Sequence, residues 1–392
     1  MSSIGKLWKF IGAAAVLALA GTAGWLLFGP AKPAALTGTT ITLGPTAPAD
    51  GQFARAEGLR DFSFPLDHGP HPDFQTEWWY YTGNLQTAEG RRFGYELTFF
   101  RRALTPQSAP VTGSDWRTSQ AYLAHFALSD IETQDFRYDE KISRGAAGLA
   151  GGQGLPIFEV WLEDWSVREV GAGRYALSAN TEGYGLELEL TDLKGPILQG
   201  DRGYSQKGPE DGNASYYISL TRLESTGKLR IGDNIWNVNG LSWMDHEYST
   251  SALSAGQIGW SWFSIQLEDG SELMLFTLRR EDGRLDPNNA GTIINPDGTT
   301  RLLGSADFQI IVRDTWRSPH SGAEYPAEWE ISIPAEGIVL TVKPLIADQE
   351  LNTFITYWEG AVGVEGKRQG LPVKGFGYIE LTGYAGSMQG KF

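Results

Sequence analysis

The chain has 392 residues, 41% hydrophobic and 20% charged, with a net charge of −15. That length is natural for two domains, and an acidic balance without a sustained Lys/Arg stripe excludes a phosphate-backbone footprint, so no nucleic-acid partner is expected. No cysteine is present, which removes disulfides, thiolate nucleophiles, cysteine-ligated zinc and a lipidated cysteine together.

In chain order, Lys6 and Lys9 precede an apolar run over residues 10–28. The first 35 residues therefore read as a signal peptide or a membrane anchor. The run approaches the roughly 20 residues that span a bilayer, whereas Gly12, Gly21, Thr22 and Gly24 weaken it, and both readings stay open. In either case the lysines stay on the cytoplasmic side. The remainder is expected outside the cytoplasm, periplasmic or secreted, with membrane contact through the N-terminal segment. Residues 36–52, rich in Pro, Ala, Thr and Gly, read as a linker.

From residue 53 the signals are those of strands and turns. Strands are expected at 76–85, 92–101, 120–129, 158–168, 174–177, 185–192, 215–223 and 235–243, each aromatic or β-branched and bounded by turn residues. A second block opens with 259–267 and 272–280 around Asp269-Gly270, a strong hairpin signal. It continues at 306–315, 327–333, 338–344, 356–364 and 373–382, spaced as in an up-and-down barrel. The expected fold is all-β, with domains at 53–248 and 249–392 meeting near residues 248–255 and no helix of domain length.

Two segments concentrate the candidate chemistry. In HPDFQTEWWYYTGNL (71–85), strand alternation puts Glu77, Trp79 and Tyr81 on one face and Trp78 and Tyr80 on the other. Both faces are aromatic, which fits a doubly buried strand or the wall of a ligand pocket. Glu77 reads as a pocket acid or as the partner of an arginine such as Arg101. In LSWMDHEYS (241–249), Asp245, His246 and Glu247 lie between Trp243 and Tyr248. An extended backbone points Asp245, Glu247 and Ser249 one way and His246 with Tyr248 the other. This stretch is either a polar hinge or the catalytic site. In the second case Asp245 or His246 is a proton donor facing a cavity lined by Trp79, Tyr81 and Trp243, since a dry aromatic setting raises a carboxyl pKa.

His125, in AYLAHFALSD, belongs to the ligand wall or is a satisfied buried histidine. Trp260 and Trp262 in GWSWFSIQL complete the candidate wall. His68 and His71 form no strong metal signature, so neither metal nor cofactor is expected. Without a GxSxG elbow, an HExxH pair or a phosphate-cradling loop, no hydrolase nucleophile is in view.

The segments HPDFQTEWWYYTGNL, AYLAHFALSD, GLSWMDHEYSTSAL, GWSWFSIQLEDGSELMLFTLR, YWEGAVGV and GFGYIELTGY together resemble the AttH/CrtC lipocalin-like superfamily. Its members include carotenoid 1,2-hydratase-like and "predicted secreted hydrolase" proteins, and the likeness runs from about residue 61 to 384. The resemblance implies two tandem lipocalin-like β domains with an apolar pocket in or between them. It further implies an apolar polyene or isoprenoid ligand and, if the chain is an enzyme, a hydratase-like lyase. The alternative is a non-catalytic carrier serving an ABC-type permease. Carotenoid hydratases carry His-x-Trp and, downstream, Tyr-x-Asp. Here His246 matches the first position, Tyr248 replaces the tryptophan, and ELMLFTLR holds no Tyr-x-Asp.

Overall fold

The computed structural model describes residues 53–106, 118–250 and 253–391. The N-terminal apolar run and most of the linker lie outside the described residues. All of the described residues fall in one compact unit, and their only helical elements are two short 3-10 turns, Leu66–His68 and Pro334–Glu336.

Two antiparallel sheets account for the rest. The first holds β1 (Thr76–Gln86), β2 (Arg92–Ala103), β3 (Gln120–Asp130), β4 (Asp135–Arg144), β5 (Ala150–Gln153), β6 (Glu159–Leu162) and β7 (Trp165–Gly171). It continues with β8 (Arg174–Asn180), β9 (Tyr184–Asp192), β10 (Ile197–Leu198), β11 (Tyr204–Gln206), β12 (Ala214–Ile231) and β13 (Asn234–Ser249). The second holds β14 (Gln257–Leu267), β15 (Glu272–Arg280), β16 (Ala290–Ile294), β17 (Thr300–Gly304) and β18 (Gln309–Arg317). It ends with β19 (Glu324–Ile333), β20 (Ile338–Pro344), β21 (Glu350–Asn352), β22 (Thr356–Arg368) and β23 (Leu371–Leu381).

Both sheets follow one plan. The first strand of each hydrogen-bonds to the last, β1 to β13 and β14 to β23, and the open edges fall inside the sequence, at β4 and β5 and at β17 and β18. The segment expected as one strand over 158–168 is instead a tight hairpin. Leu162 pairs with Trp165, and Glu163 takes the left-handed conformation at φ 56°, a turn that its glycine-free sequence conceals. Strand β4 (DFRYDEKISR) escapes sequence reading because it is a polar, half-exposed edge.

Each sheet curls around its own packed core. Trp79, Tyr81, Leu97, Phe99, Phe126 and Trp165 fill the first; Phe263, Ile265, Trp329, Leu340 and Trp358 fill the second. A third apolar cluster, including Tyr80, Tyr217, Trp243, Trp262, Phe276 and Tyr378, lies between the sheets. The aromatic run of β1 thus serves two cores, as period-2 alternation requires. Polar clamps fix the sheets against each other. Lys194 and Arg222 reach buried Glu272 at 2.7 and 2.5 Å, and the Gln266 amide donates to the Thr221 and Ser242 carbonyls. The approach is close enough that a Cβ on Gly94 would meet the Ala361 methyl at 2.6 Å.

Candidate functional site

The site grows from the pairing of β1 with β13. Tyr80 stands opposite Asp245, Trp79 opposite His246, Trp78 opposite Glu247 and Glu77 opposite Tyr248. Directly opposed residues share a face. One face of this strand pair therefore carries Trp78, Tyr80, Asp245 and Glu247, and the other carries Glu77, Trp79, His246 and Tyr248.

The first face opens into a cleft between the sheets with a cavity volume of about 150 Å³. Trp78, Phe100, Trp260, Trp262 and Phe276 supply its apolar walls, while Asp245, Glu247, Glu359 and Glu380 supply carboxyls. Asp245 accepts hydrogen bonds from Tyr217 (2.5 Å), Ser219 (2.5 Å) and the Trp243 indole (2.7 Å). These donors are themselves held: Trp262 donates to the Tyr217 hydroxyl and Gln199 to Ser219, both at 2.9 Å. None of them is charged. Burial therefore dominates and pushes the Asp245 carboxyl up to about 7, with the neighbouring Glu247 charge adding to the shift. Glu380 is likewise raised to about 7 by burial, against the pull of the Trp260 indole, which donates to it at 2.8 Å. Glu247 stands 3.0 Å from Lys207, and Ser215 donates to it.

The second face is a closed ionic network. Buried Glu77 receives Arg101 Nε at 2.7 Å, His246 Nε2 at 2.8 Å and His71 Nδ1 at 2.9 Å. His71 also meets Asp67 at 2.9 Å, and Asp67 meets Arg60 at 2.7 Å. Burial alone would raise Glu77, but the Arg101 guanidinium and the two histidines hold it well below the usual carboxylate range. Burial opposes protonation of His71, yet Asp67 and Glu77 outweigh it and raise the imidazole. Burial prevails at His246 and lowers it. Trp79 stacks on His246 at 4.9 Å and Tyr248 on His71 at 3.6 Å.

Among the described residues, His71, Glu77 and His246 form one group whose ligand atoms lie within 4.8 Å of one another. They are of the type that holds a metal, but the Glu77 charge is already met by Arg101 and His71.

The structure divides the residues singled out from the sequence. Asp245, Trp78, Trp260 and Trp262 line the cleft. Trp243 lies behind it and positions Asp245. His246, Tyr248, Glu77 and Trp79 belong to the opposite face, so a single cavity shared by Asp245, His246, Trp79 and Tyr81 does not form: adjacent residues of a strand cannot face the same side. Tyr81 is part of the first core. Glu77 takes the arginine-paired role, with Arg101. His125 is buried and satisfied, 3.0 Å from Glu140 and 2.6 Å from the Tyr357 hydroxyl. Sequence reading missed Tyr217, Ser219, Glu359 and Glu380. For the two glutamates the signal was an acid inside an otherwise apolar strand, YWEGAVGV and GYIELTGY.

The AttH-like family profile matches residues 55–384. The chain belongs to the AttH-like family. An AttH-type protein of Nitrosomonas europaea, solved at 2.00 Å, is similar at 34% identity and a TM-score of 0.75, covering 85% of this chain and all of its own. Kievitone hydratase from Nectria haematococca superposes with a TM-score of 0.62 at 15% identity, covering 86% of this chain and 98% of its own. CghA, solved with Sch210972, superposes at 0.50 and 12% identity, covering 85% and 96%. At these low identities the last two likenesses concern the fold. No curated protein sequence matches the chain. Membership of the family agrees with the resemblance drawn from the sequence segments, and the two curled sheets agree with the expected all-β, lipocalin-like architecture.

Proposed function

We propose that the cleft between the sheets binds an elongated, apolar, unsaturated molecule of the polyene or isoprenoid class, and that the protein adds water across one of its C=C bonds. The observation that carries this reading is a buried carboxyl, Asp245, raised to about 7 on the wall of an aromatic cleft. Such a group is still protonated near neutrality and can act as an acid. The alkene π pair takes the Asp245 proton and forms a C–H bond. The cation left on the neighbouring carbon faces the Trp78 and Trp262 rings, whose π faces favour positive charge. Water adds to it, forming the C–O bond, and gives its proton to Glu380 in its carboxylate form, which a carboxyl titrating at about 7 partly adopts at neutrality. Alkene and water become an alcohol. The name of one structural relative, a hydratase, supports the reading.

The test begins with native mass spectrometry and extraction of the ligand carried by the protein from its own host. With that molecule, Asp245→Asn should keep binding and lose hydration by on the order of a hundredfold or more. Unchanged turnover removes Asp245 as the acid. A ligand handed on without chemistry, indifferent to this substitution, would indicate a carrier for an ABC-type permease. In the same proposal the Lys6/Lys9-flanked segment delivers the folded part across the membrane. A reporter that works only outside the cytoplasm, fused after Phe392, should then be active.

A further inference from the structure

The cleft encloses only about 150 Å³, a volume that holds a molecule of about benzene's size. What closes it therefore decides how much of a long apolar chain it can take. Phe100, Glu380 and Met388 line the cleft, and the same three residues line a second, smaller cavity completed chiefly by Leu123, Ile355 and Tyr357. A residue that walls two adjoining cavities stands between them. Phe100 belongs to β2 and Glu380 to β23, where both are held by strand pairing. Met388 lies on no strand; it sits in the tail that follows β23, residues 382–391.

This tail, TGYAGSMQGK, has three glycines and a single large aliphatic residue, Met388. Tyr384 pins its near end, with the Arg279 guanidinium 3.4 Å from its ring centre. Beyond that point Ala385, Gly386, Ser387 and Gln389 are exposed, whereas Met388 is buried. The Met388 amide donates to the Ile258 carbonyl at 2.9 Å, and its side chain packs with Leu351, Ile355 and Tyr357. A side chain serving only as an anchor would be enclosed by close-packed core; this one has free space on two sides. The second cavity, of about 10 Å³, holds no more than about one water by itself. Added to the space that the Met388 side chain fills, it becomes an extension of the cleft. Methionine, unbranched and with three rotatable bonds, suits a partition of this kind.

We propose that Met388 sets the length of the chain that the cleft accepts, as the partition between the cleft and the cavity behind it. A chain that reaches Met388 stops there, and shortening that side chain lets it run on toward Leu123 and Ile355. The assignment rests on the reading of the cleft as a site for apolar chains and names the residue that selects among them.

The experiment measures the binding of linear 1-alkanols, from butanol to tetradecanol, to the full-length chain by isothermal titration calorimetry. Each methylene that finds room should tighten binding roughly fourfold, and one that finds none should add nothing. In the wild type the gain should end at a definite length. In Met388→Ala it should continue past that limit, so that the next longer alcohols bind roughly tenfold tighter or more than they bind the wild type. Met388→Leu, nearly equal in volume, should keep the wild-type limit. Adding Leu123→Phe to Met388→Ala fills the rear cavity and should restore that limit. Deletion of residues 385–392 carries the test if Met388→Ala fails to fold, and should also extend the limit. An unchanged limit in Met388→Ala, an extended one in Met388→Leu, or one equally extended with Leu123→Phe present overturns the assignment and leaves the apolar-ligand reading standing. Failure of every alcohol to bind the wild type overturns both.

Discussion

Glu77 and Asp245 sit on paired neighbouring strands, are 0% and 3% exposed, and each accept at least three hydrogen bonds, yet they are driven in opposite directions. Glu77 meets a guanidinium and two imidazoles. Asp245 meets a phenol, a hydroxyl and an indole. The difference shows that the charge of the donors, rather than their number, decides whether a buried carboxyl is a structural anion or an acid with a proton to give. One strand pair builds both, one on each face.

The comparison breaks most severely where the anion loses its main counter-ion. Arg101 also holds the His71 and Phe74 carbonyls and the Gln120 amide oxygen, so Arg101→Met should cost about 3–5 kcal/mol of unfolding free energy. Urea denaturation measures it. Adding Glu77→Gln should recover part of the loss, and no recovery would mean that the arginine acts only through the carbonyls.

Asp245→Asn probes the other face through stability. The folded-state carboxyl is raised from 3.8 to about 7, so the wild type loses stability as pH rises between those values and is level above them. The asparagine variant should therefore be the more stable protein at pH 8, by at most a few kcal/mol given about 1.4 kcal/mol per pKa unit. Its advantage should shrink as pH falls toward 4. A constant difference across that range would show that Asp245 does not titrate there.

His71 has the opposite sense to Glu77. Because its folded-state imidazole is raised above 6.5, its contribution is complete below 6.5 and is lost as pH rises through the folded value. His71→Asn should cost about 2 kcal/mol at pH 5.5 and less at pH 9, read from thermal melts at both. The smallest effect is expected from Trp260→Phe, which removes the indole donor on Glu380. The Glu380 carboxyl should titrate still higher, as followed by infrared difference spectra.

Much of this arrangement was legible in the chain. Asp269-Gly270 and Asp297-Gly298 announce hairpins, and Gly270 and Gly298 adopt the positive φ that such turns need, 84° and 82°. Alternation placed Asp245 and His246 on opposite sides before any coordinates did, and the cavity expected to unite them conflicted with that rule. What was hidden is everything that depends on the second sheet facing the first. Trp260, Glu359 and Glu380 are remote in sequence from Asp245, and a local pattern says only that they alternate. The network partners Asp67 and His71 lie in a turn before β1, where hydrophobic periodicity carries no information.

The plan of the two sheets bears on how the molecule comes into being. The strands that begin and end each sheet are central neighbours, Thr76 beside Ser249 and Ser261 beside Leu381. As the chain emerges from its N-terminus, β1 has β2 on one flank and a bare row of amides on the other until β13 has been made. Assembly thus waits on long-range closure, the slow kind in terms of contact order. The Asp245 face and the Glu77 network come into register together, with the last strand of the first sheet.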